Sequence, residues 1–160
     1  MAMLITPALL PGSPAADLLT NRVAVIGFWA WLAAQTLKIF THRYKKGTWD
    51  LKAMVASGGM PSSHSSLCCS VTTAVALQQG MGSPLFAACV CFSLIVMYDA
   101  MGVRQHAGKQ AAVLNQVVRS MEAEYPHMVG IKLKEVLGHT PRQVCCGAVL
   151  GILVAIFLPA

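Results

Sequence analysis

The chain has 160 residues, the length of one domain; 56% are hydrophobic, 11% are charged, the net charge is +6 and the mean hydropathy is +0.60. Soluble domains carry roughly a quarter charged residues, so six acids and twelve bases exclude an ordinary water-facing surface, whereas lipid-facing positions explain the shortage. The bases lie scattered between apolar runs and form no nucleic-acid module, which excludes nucleic acid and leaves anionic lipid or a phosphorylated substrate as the matching partner.

The opening MAMLITPALLPGSP lacks the basic start of a secretory signal and the Arg-rich pattern of a transit peptide. Residues 1–20 therefore read as a flexible or interfacial arm, and 21–160 as one membrane domain. The first apolar segment, 22–41, is long enough at about 1.5 Å per residue to cross the hydrocarbon core. It carries Trp29 and Trp31, and Lys38 is expected to snorkel to the interface. The second, 62–79, is interrupted by Ser70, Thr72 and Thr73, whose hydroxyls bond to their own helix backbone or to neighbouring helices. A turn at 78–84 ends in Ser83–Pro84, a cap followed by a first-turn proline, and opens the third segment, 84–98.

Beyond it the pattern changes. Ala107, Ala111, Leu114, Val118 and Met121 recur at helical spacing, while Lys109, Gln116, Arg119 and Glu122 fall largely elsewhere. This predicts an amphipathic helix over 104–125, lying at the interface or across the bundle mouth. A short helix is expected to end at Val136–Leu137 with Gly138 as its C-cap. The last segment is 142–159. The fold class is thus all-α: an integral membrane bundle of about four transmembrane helices plus an amphipathic interfacial helix.

Four crossings place loops 42–61 and 99–141 on one face. On or beside that face fall Lys38, Arg43, Lys45, Lys46, Lys52, Arg104, Lys109, Arg119, Lys132, Lys134 and Arg142, leaving Arg22 opposite. The positive-inside bias orients the basic loops to the cytoplasm, or to an organellar stroma or matrix, of a multi-pass protein. His64, His106, His127 and His139 share the face. The cysteines, Cys68–Cys69, Cys89, Cys91 and Cys145–Cys146, lie in or beside apolar runs without zinc-finger spacing, and read as small packing residues.

Two helix openings carry the chemistry. In GGMPSSHS, 58–65, the glycines permit a tight backbone, Pro61 suits a first helical turn, and Ser62 and Ser63 offer further donors. Free N–H groups at a helix start favour an anion, and His64 sits where it can protonate an oxygen leaving phosphorus. The same residues also serve as ordinary capping. In GHTPRQV, Thr140 reads as N-cap, Pro141 as N1 and Gln143 as N3, a capping box. His139 stands just outside, placed to attack phosphorus or simply to bond backbone at a helix junction. Asp99 and Arg104, in YDAMGVR, are costly to bury alone. Arg104 suits a phosphate clamp, and Asp99 either orients a histidine or anchors Arg104. Lys132, Lys134 and Lys52 are candidate substrate-binding groups or a solvated basic face. Asn115 lies near the apolar stripe and is expected to fasten the amphipathic helix by hydrogen bonding.

GGMPSSHS, YDAMGVRQHAGKQAAVLN and LKEVLGHTPRQVCCG together resemble the divergent branch of the PAP2 family over about residues 23–158. That family is related to type 2 acid phosphatases, lipid phosphate phosphatases and vanadium haloperoxidases. The resemblance implies a helical membrane protein with His139 as nucleophile, His64 as acid, and Ser62 and Ser63 near the phosphate. The chain departs from conventional relatives: Gln143 stands where they carry an aspartate, Leu133 where they carry an arginine, and a lysine followed by Arg-Pro is absent.

The leading expectation is a metal-independent and cofactor-independent membrane phosphatase for a lipid phosphate or prenyl diphosphate, acting through a phosphohistidine. The alternative is a catalytically inactive PAP2-like scaffold or accessory subunit of a membrane complex. Membrane lipids and the substrate are the expected partners, with protein partners or a homo-oligomer also compatible. Lipid transport fits less well, because the segments hold few intramembrane polar groups.

Overall fold

The regular structure of the computed structural model is helical throughout the described residues, which are 14–51, 54, 58–121, 130, 132–135 and 137–158. A short helix, α1 (Pro14–Thr20), precedes α2 (Arg22–Lys46), which Asn21 caps through a side-chain bond from Ala24 N–H. α2 runs five residues past its expected end. Arg43, Lys45 and Lys46 occupy its last turn, where the helix dipole favours cations, and Gly47 stops it at a φ of 74°. α3 (Ser63–Gln79), α4 (Pro84–Met101) and α6 (Pro141–Phe157) match the remaining apolar segments to within a few residues. α5 (Val103–Met121) is the amphipathic helix and follows α4 after a single-residue break at Gly102.

α3 is the centre of the bundle, packed most closely on α6, then on α2 and α4. Its interior faces are built from small residues. Gly147 and Gly151 of α6 lie on the backbone of α3, and a Cβ on them would stand 2.2 Å from the carbonyl oxygens of Ser62 and Ser66 respectively. On the other side, Ala30 and Ala34 of α2 are fully buried, and Ser66 Oγ donates to the Ala30 carbonyl at 2.9 Å. Close backbone approach of this kind replaces the hydrophobic drive that lipid removes. Thr72 and Ser93 bond hydroxyl to hydroxyl at 2.9 Å between α3 and α4, while Thr73 and Ser70 bond back to their own helix.

The outer faces are apolar. Phe28, Trp29 and Phe40 on α2, Phe92, Leu94 and Ile95 on α4, and Val149, Leu153 and Ile156 on α6 are all exposed. Two stretches, Arg22–Lys46 and Pro84–Met121, are long and apolar enough to cross a membrane, with Pro141–Phe157 a shorter apolar helix. A surface this apolar suits lipid rather than water. The buried cluster of Ile26, Ala74 and Ala155 sits at the end of the bundle remote from the two histidine loops.

Where a short helix was expected to end before Gly138, the described residues 132–135 and Leu137 are not helical and form a strap against α5; 122–129, 131 and Val136 lie outside the described residues. Asn115 explains the difference, since its carboxamide engages the N–H and the C=O of Leu133. Those groups then have no need of helical partners. Gly138 does adopt the left-handed conformation expected of it, at φ 77°.

Candidate active site

The two helix openings meet. Ser62 N–H donates to the Gln143 carbonyl at 3.0 Å, so the first turn of α3 is bonded to the first turn of α6. The joint requires Gly147 beside Ser62, because any side chain there would collide with the Ser62 carbonyl. Pro61 differs from expectation: it precedes the N-cap, following a cis Met60–Pro61 bond, and Ser62 is the cap. Ser62 is fully buried, and its hydroxyl accepts from Ser65 N–H and Ser65 Oγ. Its side chain therefore holds the helix start and does not face the cleft. His64 is exposed one residue into α3.

At α6, Thr140 and Gln143 form the full capping box, with Thr140 accepting from Gln143 N–H and Gln143 Oε1 accepting from Thr140 N–H at 3.0 Å. The second bond identifies which end of the amide is oxygen, because a backbone N–H needs an acceptor. The same Oε1 lies 3.2 Å from His139 Nδ1. Nδ1 must then carry the hydrogen and donate it. His139 itself is 4% exposed, and its backbone N–H donates to the Ala100 carbonyl at 2.9 Å. Burial holds its imidazole below the usual histidine range. The Gln143 bond opposes that shift, the Lys38 and His64 charges add to it, and a backbone bond at Gly59 opposes it.

Lys38 was expected to snorkel and does not. It is 4% exposed, its Nζ donates to Ser63 Oγ at 3.4 Å, and its stem passes under Gly59. A lysine one turn from the end of an apolar helix reads as an anchor in sequence; only the position of α3 turns it inward. The Lys38 charge acts on both imidazoles, and those of Arg104 and Asp99 act on His64. Lys38 is thus close enough to both imidazoles for its charge to act on them, and Arg104 close enough to act on His64.

Asp99 and Arg104 pair with each other through Arg104 Nε, in partly exposed surroundings. The anchoring alternative for Asp99 is the one observed. Lys132 and Lys134 are exposed on the strap. Lys52 and His127 lie outside the described residues. A cleft of about 450 Å³ reaches His139 from the α5 side, lined by Gly58, Gly59, Lys109, Glu135, Thr140 and Gln143 among others. No group of three or more His, Cys, Asp or Glu among the described residues is placed to hold a metal, and the six cysteines are free thiols.

An apolar-faced helical bundle whose two His-bearing helix openings are hydrogen-bonded together defines a PAP2-like helical membrane protein. The model of the Divergent PAP2 family matches residues 19–154, and the chain belongs to that family. It is 38% identical over 152 aligned residues to the uncharacterized membrane protein YuiD of Bacillus subtilis (strain 168), an alignment covering 89% of this chain and 96% of the relative. No solved structure matches the chain.

Proposed function

We propose that the protein is a membrane phosphatase that hydrolyses a lipid phosphate or prenyl diphosphate through a phosphohistidine on His139. The observation that supports this reading is the joint between Ser62 and Gln143, which brings together the helix openings that carry His64 and His139. Nε2 of His139 attacks phosphorus and the P–O bond to the leaving group breaks, while a protonated His64 donates to the departing oxygen. Water then attacks the phosphoryl group and gives its proton to His64. The P–N bond breaks and free phosphate leaves. Lys38 and Arg104 supply fixed positive charge for the oxygens of the transition state, and Gln143 holds the imidazole in its attacking tautomer. The multi-pass topology, with the basic loops on the cytoplasmic, stromal or matrix side, belongs to this reading.

A second reading, an inactive scaffold that retains an anion pocket, is favoured by one observation: His139 leans on a neutral amide. An amide orients the ring without offsetting the positive charge of a phosphohistidine. Purified protein in detergent, assayed for phosphate release from lysophosphatidate and farnesyl diphosphate, separates the two. The enzyme is expected to release phosphate and His139→Ala to abolish it. Activity retained in His139→Ala rejects the nucleophile, and no release by the wild type favours the scaffold.

A further inference from the structure

We propose that Asn115 is a positioning residue for His139: its carboxamide suspends the loop that carries His139 from α5 and so sets where the imidazole stands. The functional weight of this inference rests on the role proposed above for His139.

Asn115 is 3% exposed, one of the most deeply buried polar side chains of the described residues. Its Oδ1 accepts from Leu133 N–H at 2.8 Å, and its Nδ2 donates to the Leu133 carbonyl at 2.9 Å and to Glu135 Oε1 at 2.8 Å. One planar group thus grips both polar atoms of a single peptide residue, as a neighbouring strand would. Only a side-chain amide combines donor and acceptor in this way. Arg119, one turn further along α5, reaches Glu135 at 3.8 Å.

Leu137 is half-buried, while Lys132, Leu133, Lys134 and Glu135 are all exposed, Leu133 at 42%, so these four described residues bring no buried apolar side chain to α5. Backbone proximity takes over from side chains. A Cβ on Gly108 would stand 2.5 Å from the Glu135 carbonyl, and one on Gly138 would stand 2.6 Å from Gln105 N and 2.7 Å from the Ala100 carbonyl. Next comes the His139 N–H bond to Ala100, and then the cap of α6. His139 is therefore held by the Asn115 clamp on α5, by its own N–H bond to Ala100 and by the Thr140–Gln143 box on α6. Losing the first loosens the chain that feeds the other two and shifts the ring.

The test uses the full chain in lipid nanodiscs with isotope-labelled histidines, the His139 resonance being assigned by its loss in His139→Asn. The groups acting on this ring are Lys38 from α2, His64 from α3, Gln143 from α6 and the Gly59 backbone, and Lys109 of α5 and Glu135 of the strap line the same cleft; Asn115→Ala replaces none of them. The variant is expected to move the His139 titration midpoint upward by at least half of its depression in the wild type. Against an active lipid phosphate, kcat is expected to fall about tenfold with KM held within about twofold. A folded Asn115→Ala protein whose His139 titrates as in the wild type overturns the proposal. Should Asn115→Ala fail to fold, Glu135→Ala removes from an exposed partner one bond of the Asn115 carboxamide, together with the Arg119 ion pair. Its lost negative charge alone would move the midpoint down, so an upward movement supports positioning, and an unchanged or lower midpoint overturns it. The titration needs no turnover: a shifted midpoint in a protein without phosphatase activity sinks the catalytic reading and leaves the clamp.

Discussion

At the scale of single residues, the state of His139 is decided by its surroundings. Burial favours the neutral ring, so its folded pKa lies below the unfolded value. The stability this contributes is complete above about pH 6.5 and is lost as pH falls through the lower, folded pKa. Wild-type protein is therefore expected to lose stability between pH 8 and pH 5 faster than His139→Gln, as read from denaturation midpoints in mixed micelles. Parallel pH profiles would contradict a ring buried neutral. Gln143→Glu keeps the capping box, since either residue serves at N3, but places a carboxylate against Nδ1. The His139 midpoint is expected to rise by about 1–3 units in a histidine NMR titration; an unmoved midpoint would refute the Gln143 contact. Gln143 was legible from its spacing to Thr140 alone, because a capping box is a local pattern. Lys38 was not, because an apolar helix does not tell which of its faces a neighbour will cover.

At the scale of elements, the α3–α6 joint is what unites the site, and it depends on glycine. Gly147→Ala and Gly151→Ala put a methyl group into the backbone of α3. Either is expected to cost about 1–3 kcal/mol in a denaturation titration, and Gly147→Ala, nearer the site, to reduce activity as well. Val149→Ala, on the exposed face of the same helix, is expected to stay within about 0.5 kcal/mol. Equal losses for all three would argue against close packing at the joint. The signal was present in the sequence as small residues four apart, Ser62 and Ser66 facing Gly147 and Gly151. Helix bounds were read nearly to the residue where caps are local, as at Ser83–Pro84 and Thr140–Pro141. The strap was misread as helix because its conformation is imposed by Asn115, 18 residues away.

At the scale of the whole molecule, the outer surface is apolar, and the proposed multi-pass orientation can be tested directly. In a protein whose natural cysteines are replaced, Lys134→Cys and Met81→Cys are expected to react with an impermeant maleimide from opposite sides of sealed vesicles. Met81 lies in the turn between α3 and α4, and Lys134 in the strap. Labelling of both from one side would defeat the four-crossing arrangement.

The residues alone determined the helical class, the segment positions, the capping signatures and the two histidines to examine. Each of these follows from short-range periodicity or from chemistry within one turn of helix. Tertiary structure alone decided that Lys38 turns inward, that Asp99 holds Arg104, that Ser62 is buried beneath α6, and that Asn115 carries the His139 loop. These depend on which helix faces meet, and a contact across 18 or 25 residues of chain leaves no local mark, because its energy appears only once the bundle has closed.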